Sequence, residues 1–213
     1  MRERYNRHTV TTITGPTTAA VTLAEAKHYL AIDGAQDDLL IERLITSATE
    51  TMGKYLRRTI TTRTLLLTMD GFARSGDEAE IALGPGMHTV SIPFLRGAVS
   101  EIVLPFPPVQ SVSSVKAFDL DNSETTVPSA DYFLDVARGV VVLNEGRVWP
   151  VNLRRRAAVQ VQFVAGYTAI PEPIRQGILD YVGCMYECRG HCALPDGAKT
   201  AVDGYRIMTG FGA

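Results

Sequence analysis

No uninterrupted apolar run in the 213 residues exceeds about half a dozen, Ile102 to Phe106 being one of them. A membrane-spanning helix needs about 20 such residues in a row, so none is expected. The N-terminal MRERYNRHTV carries charge with no apolar stretch behind it, and we read no export signal there. Charge of one sign is also lacking. The 21 basic residues face 23 acidic ones, a net charge of −2, and without a cationic surplus there is little counterion release to drive binding to nucleic acid. A dedicated DNA-binding protein is therefore disfavoured. Cysteine is scarce: Cys184, Cys188 and Cys192 are the only three. An odd set confined to one short stretch is not the framework of a disulfide-stapled secreted domain, and a reducing compartment at synthesis is the simpler reading.

Motifs that carry chemistry are missing too. There is no Gly-x-Gly-x-x-Gly, no phosphate-binding Gly-Lys-Ser/Thr, no Gly-x-Ser-x-Gly and no His-Glu-x-x-His. His8, His28, His88 and His191 have no acid and nucleophile beside them in sequence, so no catalytic residue is assigned. The ligand types of Cys184, Cys188, His191 and Cys192 suit zinc, and their spacing puts them on one helical face. Four ligands on one unbroken helix cannot surround an ion, so a site would require a break near Gly190 or a second chain. The favoured reading keeps Cys184 and Cys188 as small apolar helix residues, with no metal and no cofactor. Asp119, Asp121 and Glu124 lack the offsets of a calcium loop and read as a turn.

What is present, 46% hydrophobic and 21% charged residues, suffices for one or two domains burying roughly 70% of the unfolded surface. Residues 1–20 are Thr-rich and broken by Gly15-Pro16, a flexible arm. Thr22 and Glu25 form a capping box opening a helix near 23–32, stopped by Asp33-Gly34. Asp37 or Asp38 caps a second helix near 37–57, with Ile41, Leu44, Ile45, Ala48, Met52, Tyr55 and Leu56 on one face. From 61 to 165, short runs rich in Val, Ile, Thr and Phe alternate with Gly, Pro, Asp and Asn, predicting seven or eight antiparallel strands. The 3.6-residue period returns at 172–189, with Ile174, Ile178, Tyr181, Val182 and Met185 inward. The expected fold is α+β: a helical core (21–60 plus 166–190), an inserted β-rich region (61–165), and a tail (191–213). Arg154, Arg155 and Arg156, the only run of three like charges, are candidate contacts for phosphate or an acidic partner, though a solvated turn is the default.

The stretch VTLAEAKHYL (21–30), followed by Asp33, Asp37-Asp38-Leu39-Leu40-Ile41 and a helix running to Tyr55-Leu56-Arg57-Arg58, resembles the opening of tailed-phage head-tail connector (adaptor) proteins. Leu104-Pro105, Pro107-Pro108-Val109-Gln110-Ser111-Val112, Trp149-Pro150, Phe163-Val164-Ala165-Gly166-Tyr167, Pro173 to Ile178 and Tyr186-Glu187 follow in that family's order. Cys188, His191 and Cys192 do not belong to the pattern. Gene transfer agents, which are phage-like particles, carry similar proteins. The resemblance implies a non-enzymatic ring subunit of the particle neck, made in the bacterial cytoplasm. Its partners would be the portal protein, a stopper or tail-completion protein, and copies of itself in a twelvefold ring. DNA would pass through the lumen without sequence-specific binding, and no membrane is involved. Within the tail, the resemblance together with the scattered large side chains marks Tyr205, Ile207 and Phe211 as candidate portal contacts, with Tyr205 and Phe211 expected to be mobile in the free protein. Two other readings stay open: a small metal-dependent enzyme or metal-binding domain using the Cys184 to Cys192 cluster, and a carbohydrate- or protein-binding β domain flanked by helices.

Overall fold

The computed structural model describes residues 8–72, 79–81, 90–92, 101–189 and 192–207. Among these the fold is α+β, divided into two compact units. The helical unit draws on three separate stretches of chain: Thr14–Arg63, Phe106–Pro108, and the region from Ala165 onward. The β-rich unit takes the N-terminal strand with Thr64–Pro105 and Val109–Val164.

In the helical unit, α1 (Leu23–Leu30) begins with the expected capping box. Glu25 N–H donates to Thr22 Oγ1 (3.2 Å) and Thr22 N–H donates to Glu25 Oε2 (2.7 Å), satisfying two donors that a helix start leaves orphaned. The helix stops earlier than Asp33-Gly34, at Ala31, whose φ of 54° turns the chain. Helix α2 (Asp38–Leu56) buries Ile41, Leu44, Ile45, Ala48, Met52 and Leu56 along one stripe, as its periodicity predicts. Neither aspartate at its start caps it by a side-chain bond. Asp38 instead pairs with Lys27 Nζ at 2.7 Å, and Asp37 accepts from Tyr186 Oη at 2.7 Å. Helix α3 (Glu172–Glu187) buries Ile174, Ile178, Tyr181, Val182 and Met185, and the Arg175 guanidinium pairs with Glu25 of α1.

A fourth helix, α4 (Asp196–Val202), corrects the reading of everything after residue 190 as a tail. Ala198 and Val202 are 1% and 0% exposed, and Val202 joins the core with Met52, Ile174 and Ile178. The physical reason is a notch: Gly177 on α3 has no side chain, and a Cβ there would stand 3.1 Å from Met52 Cε and 3.2 Å from Val202 Cγ1. A bare helix backbone admits a neighbouring helix closely, and two inward side chains are enough to seat it.

The chain passes into and out of the β-rich unit side by side, where Thr61 bridges Tyr167 and Tyr167 N–H donates to Ile60 O at 3.0 Å. Gly166 is required at this junction. Its φ is +127°, and a Cβ would lie 2.6 Å from the Thr61 carbonyl, closer than any side chain can approach backbone.

The β-rich unit comprises β1 (His8–Thr14), β2 (Arg63–Met69), β3 (Ala79–Ile81), β4 (Val90–Ile92), β5 (Glu101–Val103), β6 (Val109–Phe118), β7 (Glu124–Val127), β8 (Tyr132–Asp135), β9 (Val140–Leu143) and β10 (Val159–Ala165). They form a five-stranded sheet in the order β1-β2-β10-β6-β7, a three-stranded sheet β5-β9-β8 and the hairpin β3-β4. The pairs β3–β4, β5–β9, β6–β7 and β8–β9 are antiparallel. Alternation in β10 is as expected, with Val159, Val161, Phe163 and Ala165 buried and the glutamines between them half-buried. Gly139 turns β8 into β9 at φ +67°. Trp149 is buried and stacks on Phe72 with ring centroids 4.6 Å apart. Strand β1 replaces part of the expected N-terminal arm: its residues are mostly exposed, so it holds its place through backbone pairing at a sheet edge.

Candidate functional site

The C-terminal segment leaves α4 through a short turn and lies against the end of α2. Tyr55 Oη donates to Asp203 Oδ1 at 3.2 Å, the Arg206 guanidinium sits 4.7 Å above the Tyr55 ring, and Ile207 N–H donates to Leu56 O at 3.1 Å. Arg58 Nε–H donates to the Tyr205 carbonyl. Ile207 thus supplies a partner for one of the carbonyls that a helix C-terminus leaves open. Burial pushes the nearby Tyr167 phenol up, a shift the Arg58 charge partly opposes. Tyr205 and Ile207 are half-buried: the Tyr205 carbonyl accepts from Arg58, just beyond α2, and the Ile207 N–H donates to Leu56, so Tyr205, expected to be mobile in the free protein, packs against the helical core. Phe211 lies outside the described residues.

The triple-arginine turn is divided by its contacts. Arg154 is taken up by its own unit: its guanidinium lies 4.2 Å from the Phe118 ring centroid, donates through Nη2 to the Ala157 carbonyl (2.6 Å), and donates through Nη1 to Asn122 Oδ1 (3.2 Å). Cation–π contact plus these bonds fix it, so it serves the turn. Arg155 and Arg156 are exposed.

Two clefts flank α3 in the helical unit. One, about 660 Å³, is bordered by Tyr29, Leu30, Asp180 and Cys184; the other, about 460 Å³, by Asp37, Leu40, Leu44 and Met185. Tyr29 Oη donates to Asp180 Oδ1 at 2.9 Å. That bond holds the Tyr29 proton and pushes its phenol up; Asp37 does the same to Tyr186. Leu39 and Leu40, 73% and 47% exposed, stand at the start of α2. Along α3, then, two tyrosines are tethered by carboxylates, Tyr29 by Asp180 and Tyr186 by Asp37.

His8 and His28 are exposed, while His88 and His191 lie outside the described residues. Helix α3 ends at Glu187, short of the expected 189, and Cys184 and Cys192 form a disulfide with Cys188 left as an exposed thiol. The pairing differs from the reading of these residues as small apolar helix side chains. Among the described residues no helix is long and apolar enough to cross a membrane.

Residues 20–91 match the family model of the phage gp6-like head-tail connector protein, the family that the N-terminal motifs resemble. That stretch covers α1, α2, β2 and β3 and runs into β4, so the match includes the capping box and the long amphipathic helix. No curated protein matches the chain significantly. Among solved structures, a chain from the neck of an empty gene transfer agent (GTA) particle computed with C6 symmetry superposes with a TM-score of 0.70 at 17% identity, covering 96% of this chain and 98% of the other. A chain of the virion of the native GTA particle gives 0.68 at 19% identity with the same coverage. One from the native GTA neck computed with C12 symmetry gives 0.65 at 19%, covering 94% and 98%. At these identities the likeness is one of fold, and it extends through both units.

Proposed function

We propose that this chain is a structural head-tail connector of a tailed phage or phage-like particle: a subunit of a twelvefold ring in the neck, placed under the portal and joining it to a stopper or tail-completion protein around the DNA channel. The observation that carries the reading is the conjunction of the connector-family match over residues 20–91 with a neck-protein fold over 96% of the chain. Physical chemistry supports it. A net charge of −2 gives a channel wall little cationic surplus with which to grip phosphates, so DNA can slide past without sequence-specific binding. The clefts, exposed leucines and tethered tyrosines beside α3 suit contact with neighbouring subunits, and no catalytic role is assigned.

In this reading Tyr205 and Ile207 present the C-terminal end to the portal, with Phe211 beyond them as an aromatic anchor of the kind that dominates binding energy at interfaces. Arg155 and Arg156 face an acidic partner surface or passing phosphate. Because head-to-tail contacts can continue as open filaments where their rotation does not close, the free protein is expected to be monomeric or weakly associated and to close its ring on the portal.

The decisive experiment co-expresses the chain with its portal protein and measures stoichiometry by mass photometry and electron microscopy. A fixed ratio with twelve connector copies per portal ring is the expected outcome. Deleting Met208–Ala213, which spares α4 and the Ile207 contact, should leave the melting temperature unchanged and abolish attachment. Undiminished assembly of this truncated chain on portal-containing heads would remove the portal-contact assignment; failure of the intact chain to associate with the portal would overturn the connector reading itself.

A further inference from the structure

The three cysteines meet where the helix breaks, the condition that their spacing sets for a joint site. On a continuous helix, each four-residue step from Cys184 to Cys188 to Cys192 would advance about 6 Å along the axis, leaving the outer pair well apart. The structure breaks the helix at Cys188, which takes φ −82° and ψ 2° as its last half-helical residue, with its N–H donating to Cys184 O at 3.0 Å. Arg189 follows in the left-handed region at φ 49° and turns the chain back. Tyr181 Oη then donates to the Cys192 carbonyl at 3.1 Å and holds the returning strand of chain against α3. The Cα atoms of Cys184 and Cys192 stand 6.1 Å apart, and all three sulfurs lie within 4.8 Å of one another.

A disulfide accounts for two of these sulfurs and leaves the convergence of the third, the exposed Cys188 thiol, unexplained. Three converging thiols are the donor set of a thiophilic cation. With metal–sulfur bonds of about 2.3 Å in a tetrahedron, ligand sulfurs sit roughly 3.8 Å apart, and these three already lie within 4.8 Å of one another. We propose that, when the Cys184–Cys192 disulfide is reduced, Cys184, Cys188 and Cys192 form a three-thiolate site for zinc or another thiophilic divalent ion, with a water in the fourth position on the exposed side.

The chemistry balances. A dithiol reductant supplies two electrons and two protons, cleaving the sulfur–sulfur bond to two thiols and becoming a cyclic disulfide. The ion then displaces three protons from the three thiols. Disulfide and metal are alternative clasps at the same position, each fastening Cys192, and through it the approach to α4, onto the end of α3. The site does not depend on the connector reading.

The test uses the full-length chain and Co²⁺ as the probe. The reduced protein should bind one equivalent, with thiolate-to-cobalt charge-transfer absorption and the intense visible bands of tetrahedral cobalt, and Zn²⁺ should displace it. The oxidised protein should lose that binding, and Cys188→Ser should weaken it by more than about tenfold in the reduced state. Because Cys188 is an exposed helix-end residue outside the disulfide, this variant should keep its far-UV circular dichroism. Reduced wild type binding no more Co²⁺ than a chain with all three cysteines changed to Ser would overturn the proposal. So would a Cys188→Ser chain, or an oxidised wild type, that binds as tightly as the reduced protein.

Discussion

Val202→Ala tests whether α4 is part of the helical core. Val202 is fully buried, and its Cγ1 occupies the notch over Gly177 beside Met52. Removing two methyl groups forfeits about 1.6 kcal/mol of transfer free energy. The notch floor is helix backbone, which cannot collapse inward, so a void of roughly 50 Å³ remains and adds about 1.2 kcal/mol. A loss of about 2–3 kcal/mol lowers the melting temperature of a chain this size by about 5–10 °C. Helical ellipticity is the appropriate signal, because two compact units need not melt in one transition. The sharper arm is the double variant with Gly177→Ala. Alone, Gly177→Ala gains about 1 kcal/mol of helix propensity but forces its new methyl against Met52 and Val202. With Val202 truncated, that methyl has room and partly refills the void, so the double variant should be more stable than the sum of the singles by at least about 0.5 kcal/mol. A Val202→Ala melting temperature within about 1 °C of wild type, or strict additivity of the pair, would refute the docking of α4 into the notch.

Gly166→Ala should be severely destabilising, since its methyl would collide with the Thr61 carbonyl at a strained backbone angle; thermal melts that leave it near wild type would show that the junction can shift. Leu44→Ala, at a buried α2 position, should cost about 2–5 kcal/mol in denaturant titrations, while Glu42→Ala on the exposed face of α2 costs little. Glu25 is held below the usual carboxylate range by the Thr22 backbone and hydroxyl and then by Arg175. A depressed folded-state pKa contributes stability that is fully present above the ordinary glutamate pKa and is lost as pH falls through the lowered value. Acid titration of stability should therefore show a component below the ordinary glutamate range that Glu25→Gln removes; an unchanged acid limb in that variant would dismiss the capping box as its source.

The long helices and the α+β class were legible because burial writes a period into sequence. Ile41 to Leu56 and Ile174 to Met185 repeat at the helical interval, and Val159 to Ala165 alternates. Elements held by something other than a buried stripe left no such trace. HTVTTIT in β1 is exposed along nearly its whole length and is held by backbone pairing, so it reads as an arm. ETTV in β7 buries only Val127. In α4 the sequence DGAKTAV offers only Ala198 and Val202 inward, too little for a period to show, and the signal that seats it is the absence of a side chain at Gly177 on another helix. The cysteine spacing shows that convergence needs a break in the helix but not that one occurs: it falls at Cys188 and Arg189, and the hydrogen bond from Tyr181 that secures the returning chain leaves no mark in the spacing. Arg154 drew notice as charge, but its role depends on Phe118 and Asn122, distant in sequence.

The interleaving of the two units bears on synthesis. Helix α2 ends at Leu56 and its partner α3 begins at Glu172, so residues 57 to 171, 115 in all, must be translated between them. At ribosomal rates of about 5–20 residues per second, that interval lasts roughly 6–23 s. Throughout it, the apolar stripe from Ile41 to Leu56 has no α3 to cover it, while the strands β2 to β10 are made one after another and can pair among themselves before α3 appears. Nascent chains are thus divided into a β-rich portion able to mature early and a helical portion waiting on the last fifth of the chain. The stripe of α2 is the surface that a holding chaperone would cover, and the one through which crowded nascent chains would stick to one another.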